Sequence, residues 1–110
     1  MRKVFIPSLP TRFDAVTGTR IPSLDLNPAS NYGELVVWTR GPHEPDDISA
    51  AAKTVTRMSH AVKEDDYVLA AGDLIVAAAA IAAIHKRLGK VKLLRWDRRV
   101  KKYDVMEVSW

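Results

Sequence analysis

The sequence predicts a single α/β domain on a mixed β-sheet, and three stretches carry that prediction. The run DYVLAAGDLIVAAAAIAAIHKRLGKVKLLRW, Asp66 to Trp96, reads as strand, helix and strand in succession. Ahead of it, apolar residues fall at Ile48, Ala51, Ala52, Val55, Met58 and Val62, the spacing of an amphipathic helix. Behind it, two strands flank a short basic turn and make an antiparallel hairpin. Strand 67–71, helix 74–88 and strand 91–97 therefore form a β-α-β crossover, for which parallel strands and a right-handed connection are the rule. A second helix over about 47–63 and the hairpin at 90–110 complete an α/β architecture with mixed pairing at its edges. At 110 residues, positions 1–110 read as one such domain with an irregular, proline-rich arm over 7–33.

Val4 to Ile6 is a short strand interrupted by Pro7 and Pro10. Because proline removes a ladder donor, the segment is expected at an edge or irregular beyond residue 6. Asp14 and Gly18 mark a turn, one by bonding downstream backbone and the other by taking the positive φ that closes a hairpin or loop. LNPASNYG reads as a helical turn, with Asn27 as N-cap, Pro28 in the first helical position and Gly33 as terminator. ELVVWT, residues 34–39, is β-branched and aromatic, hence a strand. RGPHEP is a loop, and Asp46 or Asp47 is expected to cap the helix that follows. That helix leaves Lys53, Arg57 and His60 toward water and ends at KEDD, where acids oppose the negative end of the macrodipole.

Asp73 is the natural N-cap of the next helix, and Gly89 sits where a left-handed C-cap belongs. The body, LIVAAAAIAAI, has no polar face and must be covered nearly all round. In the strand after Gly89, Val91 and Leu93 share one face while Leu94 and Trp96 share the other.

Composition narrows the function classes. Cysteine is absent, which removes disulfides, thiolate metal sites and thiol nucleophiles. MRKVFIPSLP places only three apolar residues between its basic pair and a proline, too few for a signal-peptide core. The longest apolar run, Leu74 to Ile84, is eleven residues against the roughly 20 that a membrane span needs. A soluble, cytoplasmic protein with no membrane partner is expected.

The net charge of +4 conceals a segregation. Residues 1–84 carry eight Lys/Arg and ten Asp/Glu, a net of −2. Residues 85–110 carry nine Lys/Arg and three Asp/Glu, a net of +6. Charge gathered in this way bears on partners more than on fold.

The AAGD corner lies where open α/β sheets bind ligands and where helix N-termini attract phosphate. It has one glycine and neither of the common phosphate-loop patterns, so a tight turn plus cap is the plainer reading. His43, His60 and His85 lack metal-ligand spacing, and no metal or cofactor is expected. EPDD at 44–47 and KEDD at 63–66 sit where caps and solvated loops belong. None of the serines lies in a nucleophile-elbow pattern.

The basic hairpin carries the strongest functional signal. Lys86, Arg87, Lys90, Lys92, Arg95, Arg98, Arg99, Lys101 and Lys102 are opposed within that span by Asp97 alone, with Trp96, Tyr103 and Trp110 interleaved or adjacent. Single strands are held by this pairing of properties, cations tracking phosphates while aromatic faces stack on bases. Lys92, Arg95, Arg98, Arg99, Lys101 and Lys102 are the expected phosphate contacts, with Tyr103 and Trp110 as candidate stacking residues. The plainer alternative makes the aromatics core and the charges a solvated rim.

The stretches PTRFDAVTG (10–18), YGELVV (32–37), DYVLAAGD (66–73), the alanine-rich helix and LLRWDRRVKKY (93–103) together resemble small accessory proteins of tailed bacteriophages. The resemblance implies a bacterial host cytoplasm and a role in phage DNA metabolism or host control, and transfers no catalytic residue. The leading expectation is thus a non-enzymatic nucleic-acid-binding protein, with single strands preferred. A protein-interaction module or inhibitor docking on a host protein is the first alternative. A nucleotide- or metal-dependent enzyme using Gly72–Asp73 is the second. Helix 74–88 also offers a seam for a homo-oligomer, with burial inside one chain as the competing arrangement.

Overall fold

The computed structural model describes every residue except Trp110. Its main sheet contains β1 (Lys3–Ile6), β4 (Glu34–Val37), β5 (Tyr67–Leu69), β6 (Lys90–Asp97) and β7 (Lys102–Ser109). The spatial order is β4-β1-β5-β6-β7, parallel throughout except for the antiparallel β6–β7 pair. A separate hairpin joins β2 (Thr11–Asp14) to β3 (Thr19–Pro22). The helices are α1 (Pro45–Met58) and α2 (Leu74–Leu88), with short 3₁₀ turns at Pro28–Tyr32 and Ser59–Ala61. The expected mixed α/β domain with two helices and a C-terminal hairpin is what the chain adopts. Among the described residues no helix is long and apolar enough to cross a membrane.

Alternation along the strands sorts two apolar layers. Val4, Ile6, Leu69, Leu94 and Tyr103 face the arm, where Leu24, Leu26, Ala29 and Tyr32 pack on them. Phe5, Val68, Val91 and Leu93 face the other way, against Ile81, Ile84 and Leu88 of α2. Val55 of α1 meets Val76 and Ala80 of α2, so both helices share that second face. The arm therefore crosses from β1 to β4 on one side of the sheet, and the helices cross on the other.

Several local expectations hold for their stated reasons. The Asp73 carboxylate accepts the backbone N–H groups of Ile75 and Val76 at 2.9 and 3.0 Å, and Gly89 closes α2 with φ +76. Asp14 Oδ1 accepts from the Val16 N–H, and Gly18 takes φ +70 in the β2–β3 turn. KEDD, expected among caps and solvated loops, departs from that at Asp66, which is buried and accepts from the backbone N–H groups of Lys3 and Lys63 at 2.9 and 2.8 Å, tying the start of β1 to the approach to β5.

β1 ends at Ile6 and the chain is irregular from Pro7, the second of the two arrangements expected; the strand itself is interior, flanked by β4 and β5, because Pro7 follows its last ladder residue. Two expectations are corrected. The arm is not irregular throughout, since residues 11–22 form the β2–β3 hairpin. α1 starts at Pro45 with Glu44 in the N-cap position and makes no side-chain cap bond; Asp46 and Asp47 lie in its first turn, where they meet the positive end of the dipole.

At the carboxyl ends of β1 and β5 the chain runs very close to itself. Gly72 has φ +78, and a Cβ there would lie 2.2 Å from the Ser8 carbonyl oxygen. Gly72→Ala should therefore cost more than the roughly 1–2 kcal/mol of a left-handed L-residue, because backbone must also move. Gly18→Ala, at φ +70 in open space, should cost only the backbone term. Urea unfolding of the two variants measures the difference; equal losses would contradict the close approach.

Candidate nucleic-acid interface

The β6–β7 ribbon distributes its cations over two faces because side chains alternate. Lys92 lies on the arm face, opposite Glu107, with its Nζ 5.7 Å from the centroid of the Tyr67 ring. Arg95 lies on the helix face and pairs with Asp104 at 2.9 Å. Arg99 turns back onto Asp97 at 3.2 Å. The arginine side chains of both pairs are exposed, and such pairs contribute little energy. They nevertheless offset two of the cations expected to meet phosphate. Arg87 is engaged elsewhere, donating to the carbonyls of Ser59 and Val62 and so fastening the end of α2.

Asp97 organises the turn itself. Its Oδ1 accepts the Arg99 backbone N–H at 3.0 Å and its carboxylate accepts the Arg99 guanidinium. The Arg99 side-chain and backbone hydrogen bonds hold its pKa below the usual carboxylate value. Lys101 completes the turn in the left-handed region, at φ +55, and Arg98, Val100, Lys101 and Lys102 are exposed around it.

Tyr103 corrects the expectation of a free stacking face. It is only 6% exposed and belongs to the arm-side core. Its ring packs on Trp96 with centroids 4.9 Å apart, and its hydroxyl donates to the Asp25 carbonyl at 2.8 Å. Trp110, the other expected stacking residue, lies outside the described residues.

Trp96 takes the place that sequence reasoning had given to Tyr103. It is half-buried, on the arm face, and lines an open hollow of about 450 Å³ between the two hairpins. Arg12 of β2 and Arg98 and Lys101 of the β6–β7 turn reach the same hollow, whose wall is the 22–25 segment. None of these three cations is ion-paired among the described residues. Asp25 is the acid in the lining, and its Oδ1 accepts the Asn27 backbone N–H at 3.0 Å. The structure thus gathers Arg98 and Lys101 from the expected set and adds Arg12 and Trp96. Lys92 and Arg95 are turned away from each other, Arg99 lies within the turn and Lys102 opens β7. Arg12 was missed because 86 residues separate it from Arg98, and its alternation within TRFD carried no hint of that meeting.

The Gly72–Asp73 corner forms a second cleft, of about 390 Å³, at the point where connections leave β1 and β5 on opposite faces. His43 Nε2 lies 3.2 Å from Ser8 Oγ and 3.3 Å from Thr39 Oγ1. Ser8 Oγ also accepts the Asp73 backbone N–H at 3.0 Å. The Asp73 carboxylate already occupies the first free amides of α2, the groups that a phosphate would need there. Among the described residues no cluster of three or more potential metal ligands occurs.

Burial, and secondarily the Asp25 charge, pushes the Tyr103 phenol up from 10 to about 12. Its contribution to stability is therefore intact below pH 10 and is lost as pH rises toward about 12. In an ultraviolet titration a tyrosine component should ionise only as pH approaches about 12, and that component should vanish in Tyr103→Phe. A parent chain without such a late component would contradict the buried placement.

No curated protein and no solved structure matches the chain. A family model does match, over residues 2–110, and on that span the chain belongs to the Phage Pam3 gp32-like proteins.

Proposed function

We propose that this phage protein binds single-stranded nucleic acid in the hollow between its two hairpins, as an accessory protein working in the cytoplasm of the infected host. The observation that supports the reading is the convergence of Arg12, Arg98 and Lys101, free of ion pairs among the described residues, on the half-buried face of Trp96. Cations in such a groove track the backbone, while an indole offers a stacking platform that tolerates any base. A duplex needs no such hollow; a single strand can turn a base into it. Asp25 sits where a carboxylate can accept from a base amino group or a sugar hydroxyl. Lys102, beside the turn, adds to the local field, and Arg95 and Arg99 contribute less because their charges are partly offset.

Arg98→Glu combined with Lys101→Glu should weaken binding to an oligo(dT) strand and flatten the dependence of log K on log salt by about 0.7 for each phosphate no longer neutralised. Lys101→Gly separates binding from folding, because it removes a cation while relaxing the φ +55 backbone. It should bind more weakly with stability equal to or above that of the parent. Fluorescence titration at two salt concentrations reads both effects, and an unchanged affinity and slope in the folded double variant would overturn the proposal.

A further inference from the structure

The helix layer covering the sheet stops one helix short. Met106 and Val108 lie on the helix-side face of β7, opposite Leu93 and Val91, and are 45% and 47% exposed. α2 is covered by the sheet beneath it and by α1 beside it, but its third side is bare. Leu74 is 81% exposed, and Ala78 and Ala82 follow it as an exposed row at i+4 spacing. Between this row and β7 runs a largely apolar groove of about 520 Å³, lined by Leu74, Ala78, Ile81, Ala82 and Val108, with His85 at its far end. Free surface of this kind marks an interface when its parts are contiguous.

We infer that the occupant is a second copy of this chain, with α2 of each protomer lying antiparallel in the groove of the other. Three features select a copy over an unrelated helix. The outer row of α2 reads large, small, small, so a two-fold axis near Ala78 sets each Leu74 onto the partner's Ala82 and brings Ala78 against the partner's Ala78. α2 starts at Asp73 and ends in His85, Lys86 and Arg87, so antiparallel packing brings the basic end of each helix toward the acidic start of the other. No ionisable group lies on the outer row between Leu74 and Ala82, and His85 stands at the far end of the groove, so the centre of the contact is uncharged. One isologous contact then covers both the bare side of α2 and the open face of β7, twice over. The hollow at Trp96 opens on the opposite face of the sheet and stays accessible.

Sedimentation equilibrium of the full chain should give a dimer, and Leu74→Glu should weaken it at least tenfold without changing the circular dichroism, since this side chain is already exposed in the protomer. The chain has no cysteine, so Ala78→Cys supplies a single thiol and should cross-link into a covalent dimer under mild oxidation. Ser49→Cys, on α1 away from the groove, should not. A wild-type chain that stays monomeric at roughly 100 μM overturns the inference and leaves the groove to a helix of another protein. A dimer indifferent to Leu74→Glu, or one in which Ala78→Cys fails to cross-link, overturns it as well. Loss of oligonucleotide binding with the dimer intact would instead count against the hollow alone.

Discussion

The contact on which the hollow at Trp96 depends is the one between Tyr103 and the backbone of Asp25. It joins residues 78 positions apart, the start of the last strand and the wall of the N-terminal arm. Burying the ring with Leu24, Leu26 and Leu94 supplies an apolar contribution of about 1.5–3 kcal/mol. The hydroxyl satisfies a carbonyl that burial would otherwise leave without water. Because this residue is committed to holding the arm against the ribbon, Trp96 beside it is held at a fixed angle, half inside and half out. The β2–β3 hairpin is thereby held near the β6–β7 turn, and Arg12 comes within the same hollow as Arg98 and Lys101.

The sheet separates two surfaces that the sequence mixes along one ribbon. Alternation sends Trp96 to the arm face and Met106 and Val108 to the helix face. The first carries open cations beside an aromatic, the second a bare apolar groove beside α2. Both follow from β7 being an edge strand with no helix of its own above it. Edge strands of this length invite pairing or covering, whereas the acid–base pairs on the ribbon, Arg95 with Asp104 and Arg99 with Asp97, keep its turn end solvated.

Much of the fold was legible because its signals are local. Asp73 and Gly89 announced α2 by cap chemistry alone, and the parity of Val91, Leu93, Leu94 and Trp96 assigned the faces of β6 correctly. What was not legible rests on contacts between distant parts of the chain. Pro7 left open an edge strand or one that stops at Ile6, and only the pairing of β1 with both β4 and β5 decides between them. The charge cluster was visible as composition, while its division by face and the offset of Arg95 and Arg99 depended on which acids fold opposite them. Hydropathy led to the expectation that LIVAAAAIAAI is covered nearly all round, whereas the sheet and α1 cover only two of its sides and Leu74, Ile75, Ala78 and Ala82 stay exposed.

The central claim is that one hollow, bounded by two hairpins, is where a single strand meets this protein. Backbone and indole amide spectra of the ¹⁵N-labelled chain, recorded while oligo(dT) is added, test it most directly. The account predicts that the Trp96 indole N–H and the amides of Arg12, Arg98 and Lys101 shift together, while those of Leu74, Ala78 and Ala82 stay in place. Shifts confined to α2, or a Trp96 indole unmoved at saturation, would contradict it.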